Sequence, residues 1–198
     1  MIGASNETRM YGLPLKAEIT SANVNDITPA RGFDCEAGAT YVFDLGYYSF
    51  QWWADLDALG CRFVTRLKTH TKLRDVHEYD VPDDGNILAD RIGYLSKRLS
   101  GSRSNPFAKP VREITVRLDT GRIIRIVSND LDASACEIAD LYKLRWQVEL
   151  FFKWIKQNLK IKRFLGTSKN AVSIQIYVAL IMRKNRYQDR WPSCAWCA

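Results

Sequence analysis

A carboxylate set among cations on one side of a helix is suited to phosphate chemistry, and this chain sets out such a pattern between positions 135 and 160. Tyr142, Arg145, Glu149, Lys153, Lys156 and Lys160 follow one another at intervals of three or four residues. On a helix of about 3.6 residues per turn they form one polar stripe. Leu141, Leu144, Val148, Phe151, Phe152, Ile155 and Leu159 fall roughly opposite, so the spacing predicts one long amphipathic helix over 135–160 whose apolar face packs on other elements. Two readings of the stripe are open at this level: a solvated helix face, or a carboxylate in a cationic, phosphate-binding setting.

The second candidate is Asp44. Residues 39–44 are strand formers that end abruptly in this acid, followed by Leu45, Gly46 and two tyrosines. An acid at the C-terminal end of a strand faces the crevice where ligands gather in open α/β sheets; it can equally cap the helix predicted from Ser49 to Gly60. Cys61 to Lys68 then alternates as a strand, with Cys61, Phe63, Thr65 and Leu67 on one face and Arg62, Val64, Arg66 and Lys68 on the other. That cationic face is a candidate phosphate contact or a solvated strand face.

The elements around these candidates change character along the chain. Met10 to Thr20 reads as a turn and a short strand, and Asp26 as a helix cap. Short alternating runs at 73–81, 87–95, 111–118 and 122–128, separated by turn-forming sequences, read as a mainly antiparallel β unit inserted over 69–132. Ser128 to Ala133 supplies caps for the long helix. After that helix come a basic loop and a final apolar helix over 171–184, and residues 185–198 fit neither period.

Composition narrows the partners. The net charge of +7 is uneven: residues 135–198 hold 12 Lys and Arg against 4 Asp and Glu, and residues 1–134 hold 17 against 18. A basic C-terminal third suits a polyanion, most commonly nucleic acid. The first ten residues lack the apolar core of a signal peptide, and Ser173 to Met182 is too short and too polar to span a bilayer, so no membrane partner and a cytoplasmic address are expected. Five cysteines without a regular framework fit a reducing compartment, and the lone Cys194/Cys197 pair is a weak zinc signal.

Tyr142, Arg145, Glu149 and Lys156 spell Y-x2-R-x3-E-x6-K. With VFDLGYY around Asp44, FVTRLK at 63–68 and NAVSIQIYVALI at 170–181, the chain resembles the DDE transposases of bacterial insertion sequences, in the large IS-four group, over residues 10 to 184. The resemblance implies an α/β fold with an RNase H-like core, in which three carboxylates hold two Mg2+ (or Mn2+) ions for DNA strand cleavage and transfer. It implies Asp44 and Glu149 as metal ligands and catalytic carboxylates, and Tyr142, Arg145 and Lys156 as contacts to backbone phosphates of transposon-end DNA. The cationic residues Arg66 and Lys68 join that DNA-binding set. A homodimer or a full-length transposase in a synaptic complex, at the nucleoid, is the implied partnership.

The resemblance departs from the family in two places. Leu45 stands where an arginine is usual, and neither Glu7 nor Asp26 has the setting of the first catalytic aspartate. The expectation is therefore a transposase truncated at both ends: an incomplete RNase H-like core over 1–68 lacking its first strands, the β insertion over 69–132, the signature helices over 133–184 and a divergent tail. Such a chain is expected to be catalytically inactive, either a basic DNA-binding module or a product too incomplete to fold stably.

Overall fold

The computed structural model describes residues 2–4, 24–25, 27–81, 85–99, 103–146, 153, 168, 170–171, 173–174 and 177–178. The chain divides into two compact units: Met1–Met10 with Thr20–Trp146, and Tyr11–Ile19 with Gln147–Ala198. The expected strand within 10–20, the Asp26 cap and the tail after 184 lie outside the described residues. So do most of the basic loop after the long helix and most of that helix beyond Trp146.

In the first unit, one seven-stranded sheet has the order β1-β2-β3-β7-β6-β5-β4. Its strands are β1 (Ile2–Ala4), β2 (Thr40–Val42), β3 (Arg62–Arg66), β4 (Arg74–Tyr79), β5 (Ile87–Tyr94), β6 (Pro110–Arg117) and β7 (Ile123–Ser128). Only β2 and β3 run parallel. Every other neighbouring pair is antiparallel. The four alternating runs between 73 and 128 fall on β4 to β7, and β7 hydrogen-bonds β3 directly. They therefore continue the sheet that carries Asp44. At the other edge, β1 pairs with β2 and covers its backbone.

The helix α2 (Phe50–Ala58) makes the crossover from β2 to β3. Its ends follow from local chemistry. Ser49 Oγ accepts the Trp52 N–H at the start. At the other end Gly60, at φ +72°, donates to the Asp57 carbonyl while Cys61 donates to that of Leu56. This paired closure needs a left-handed residue after the cap, which glycine adopts without a Cβ penalty. A short helix α1 (Ile27–Ala30) precedes β2, and α3 (Ala135–Leu144) follows β7.

Strand alternation then sorts the core into two clusters. Tyr41, Phe43, Phe63, Val111 and Val127 meet Trp52, Trp53, Leu56 and Phe107 on the α2 side. Val42, Val64, Ile114, Val116, Ile124 and Ile126 meet Ile138 and Tyr142 on the α3 side. The β3 face bearing Val64 is thus covered by α3 rather than solvated, because Val64 is buried beneath it.

Two polar devices fix the helices to the sheet. Asn129 donates to Asp57 Oδ1 at 2.9 Å and to the Cys61 carbonyl at 3.0 Å, and accepts the Phe63 N–H at 2.8 Å, tying β7 to the end of α2. Arg112, on β6, pairs with Asp90 through both carboxylate oxygens and donates to the carbonyls of Leu131 and Ala133. That guanidinium anchors the turn from which α3 starts. The cap of α3 is Ser134, one residue beyond the expected stretch, in a reciprocal arrangement with Glu137.

The second unit is described at scattered positions. Lys153, 170–171, 173–174 and 177–178 are helical, and Ser168 Oγ accepts the Ala171 N–H at 3.2 Å. Among the described residues, no helix is long and apolar enough to cross a membrane.

Candidate active site

Asp44 lies two residues beyond the last residue of β2, in extended conformation. One carboxylate oxygen, Oδ1, accepts the Gly46 N–H at 2.8 Å. This caps a single 3-10 turn, Leu45–Tyr47, and not α2. The intervening turn accounts for the difference from the capping alternative, since Ser49 is the residue positioned before the first free N–H groups of α2. The other oxygen, Oδ2, lies 4.0 Å from Arg145 Nη1, and the Asp44 side chain is 49% exposed. Its main-chain carbonyl accepts the Tyr47 N–H at 3.2 Å, so the backbone of the acid is held while half its side chain stays accessible.

Arg145 stands at the end of α3, still in right-handed helical conformation. Its guanidinium lies 5.5 Å from the centre of the Tyr142 ring and is largely buried. Tyr142 is buried against the β3 side of the α3 core. Burial pushes the phenol above its ordinary range, while Arg145 and Arg66 nearby favour the anion and Asp44 opposes it. Arg66 Nε is shielded from solvent without a hydrogen-bond partner among the described residues, and the Tyr142 hydroxyl, also shielded, has the Arg145 guanidinium as its hydrogen-bonding neighbour. Arg66 and Arg145 therefore both lie near the Tyr142 phenol, with the Asp44 carboxylate beside Arg145.

The cationic row expected on β3 divides three ways. Arg62, at the far end of the strand, pairs with Asp130 at 3.2 Å. Arg66 lies near Tyr142. Lys68 lies beyond β3, its ammonium 4.5 Å from the centre of the Tyr48 ring, and Tyr48 packs on Phe50 and Trp53 of α2. Glu149 and Lys156, the remaining signature positions, lie outside the described residues, and Lys153 is helical and exposed. Sequence reasoning passed over Arg112, Asp90 and Asn129, which hold α3 and α2 in place. Their signal is faint: a charge inside a strand run, such as Arg112 in VREITV, needs a buried partner that spacing does not identify.

Asp44 suits a hard divalent cation in donor type and accessibility. Among the described residues, no group of three or more His, Cys, Asp or Glu converges. A single carboxylate with one oxygen occupied by Gly46 and the other near Arg145 does not make a metal site by itself.

Comparison with known proteins bears on the same residues. The chain matches the family model described as "Transposase DDE domain" over residues 8–183. It is 40% identical over 171 residues to "Putative transposase y4zB" of Sinorhizobium fredii (strain NBRC 101917 / NGR234), covering 85% of this chain and 47% of that protein. It is 43% identical over 81 residues to "Probable transposase for insertion sequence element IS5377" of Geobacillus stearothermophilus, covering 41% of this chain and 22% of the relative. The chain thus spans about half the length of the first of these curated relatives and less of the second. With a mixed α/β sheet, an acid at the end of its parallel strand pair and a family match across most of its length, the chain belongs to the DDE transposase family.

Proposed function

We propose that this chain is the DNA-gripping part of an insertion-sequence transposase of the IS-four group, built on an RNase H-like core. The observation that carries the reading is the meeting of Arg66, Tyr142 and Arg145 beside the half-exposed Asp44. Two part-buried guanidinium groups and a phenol gathered near a half-exposed carboxylate suit a phosphodiester, whose oxygens accept from a guanidinium fork and a phenol. Lys156 adds a further phosphate contact, and Lys68 extends the cationic surface past the end of β3. The partner is transposon-end DNA, bound by a pair of copies or together with a full-length transposase in a synaptic complex.

Asp44 and Glu149 are the residues that would hold Mg2+ or Mn2+. When bound, such an ion would supply activation of an attacking water or 3′-hydroxyl and charge stabilisation for the leaving oxygen. These residues are two of the three carboxylates that the chemistry calls for, so the 198 residues alone bind DNA without transferring strands. Before DNA binds, Arg145 neutralises part of the Asp44 charge; on binding, the same guanidinium meets a phosphate.

An assay with Mn2+ and duplex ends tests the inactivity: no cleavage is expected, and cleavage that is lost in Asp44→Asn would overturn it. Binding tests the rest. Arg145→Ala should weaken affinity for duplex DNA at low salt, and unchanged affinity would refute the assignment of the site.

A further inference from the structure

From Cys61 through Arg74 the chain carries five lysines and arginines, one histidine and no carboxylate. The middle of this segment, Lys68 to Lys72, is the loop that leaves β3 at the same sheet edge where Asp44 leaves β2, because those two strands are parallel. Lys68, Thr69, His70 and Lys72 are exposed. From beneath, Arg125 of β7 reaches the loop: its Nη1 donates to the carbonyls of Lys68 and Thr69 at 3.1 Å each and of Thr71 at 2.8 Å. The rest of the guanidinium is bound by both oxygens of Glu113 on β6, with Nη2 to Oε2 at 2.9 Å. Glu113 is 2% exposed.

A buried ion pair is poor evidence of stabilisation, since apolar residues of similar size do as well. This one does something that an apolar pair cannot. By drawing three carbonyls inward it fixes the loop with its cationic side chains in solvent. The loop is also joined to the Asp44 turn, through the Tyr48 hydroxyl, 3.0 Å from Thr71 Oγ1, and through the Lys68 ammonium over the Tyr48 ring.

We infer that the loop Lys68–Lys72 is a preformed platform for a second stretch of DNA backbone beside Asp44, and that the Glu113–Arg125 pair is its positioning brace. The inference rests on the DNA-binding reading above. A polyanion meets Lys68, His70 and Lys72 without an ordering cost for the loop, because Arg125 has already set its backbone. Arg125 itself touches no DNA and acts through the loop.

The test is duplex affinity of the full 198-residue chain across a salt series. Each phosphate that is no longer neutralised makes the slope of log K against log salt shallower by about 0.9. The surface variant Lys68→Ala/Lys72→Ala should therefore be shallower by about 1.8. The double variant Glu113→Leu/Arg125→Met, which leaves every loop charge in place, should also be shallower, with its folding transition retained. Unchanged slopes in the lysine variant overturn the platform, and an unchanged slope in a folded brace variant overturns the brace. If Arg145→Ala weakens binding while both loop variants match the wild type, the platform fails and the Asp44 site stands. If the wild type itself shows no salt-dependent binding, both fail.

Discussion

On the α2 side of the sheet, Phe43, Trp52, Trp53, Phe63 and Phe107 interlock, with Trp53 and Phe63 stacked at 5.0 Å between centres and Phe63 meeting Phe107 edge-on at 5.8 Å. On the α3 side the core is aliphatic, mostly Val and Ile, and at the β3 end it gives way to Arg66, Tyr142 and Arg145 around Asp44. Aromatic rings fill volume with few conformers and suit a scaffold. Part-buried cations and a shielded phenol are costly to a scaffold and useful where an anion arrives. The contrast sets an aromatic scaffold on one face against a charged cluster beside Asp44 on the other, with the Glu113–Arg125 brace standing at the margin of the aromatic face.

Substitutions can break that division. Trp53→Ala should cost about 3–5 kcal/mol, because a fully buried indole leaves a cavity among fixed rings; urea unfolding measures the loss. Arg112→Met should cost a similar amount, about 3–5 kcal/mol, by leaving the Asp90 carboxylate buried without its partner. It should also lower DNA affinity, since Arg112 holds the turn from which α3 starts.

Smaller changes sharpen the contrast. Tyr142→Phe removes a shielded hydroxyl whose neighbour is the Arg145 guanidinium. Thermal unfolding should place it within about 1 kcal/mol of the wild type, yet DNA affinity should fall roughly tenfold, the worth of one hydrogen bond to a charged acceptor. Ser49→Ala should cost about 1 kcal/mol through the lost cap of α2 and leave DNA binding alone.

Acid should act on the scaffold face through Asp57. Burial raises its pKa, but Lys109 at 2.6 Å and Asn129 outweigh that effect and hold the carboxyl below its ordinary range. Its contribution is complete above the unfolded carboxylate range and is lost as pH falls through the lowered folded value. Asp57→Asn should flatten the acid side of a stability–pH curve.

Much of this arrangement was legible in the residues. Strand runs with period two mark β3 to β7, and Ser49 to Gly60 brackets α2 because both ends carry their own chemistry. Asp44 was legible as a strand-end acid, although its role as a 3-10 cap was not: a turn of three residues has no period to read. Arg62, Arg66 and Lys68 looked equivalent by alternation. Only tertiary partners, Asp130 for one and the Tyr48 ring for another, separate them. The same holds for Arg125, whose three carbonyl acceptors lie more than fifty positions away.

The central claim is that Arg66 and Arg145, gathered with Tyr142 near Asp44, hold a DNA backbone. Its most direct test is the salt dependence of duplex binding by Arg66→Ala/Arg145→Ala beside the wild type, with folding checked by circular dichroism. The account predicts a folded variant whose slope of log K against log salt is shallower by about 1.8, because two phosphates are no longer neutralised. A folded variant with the wild-type slope and affinity would contradict it.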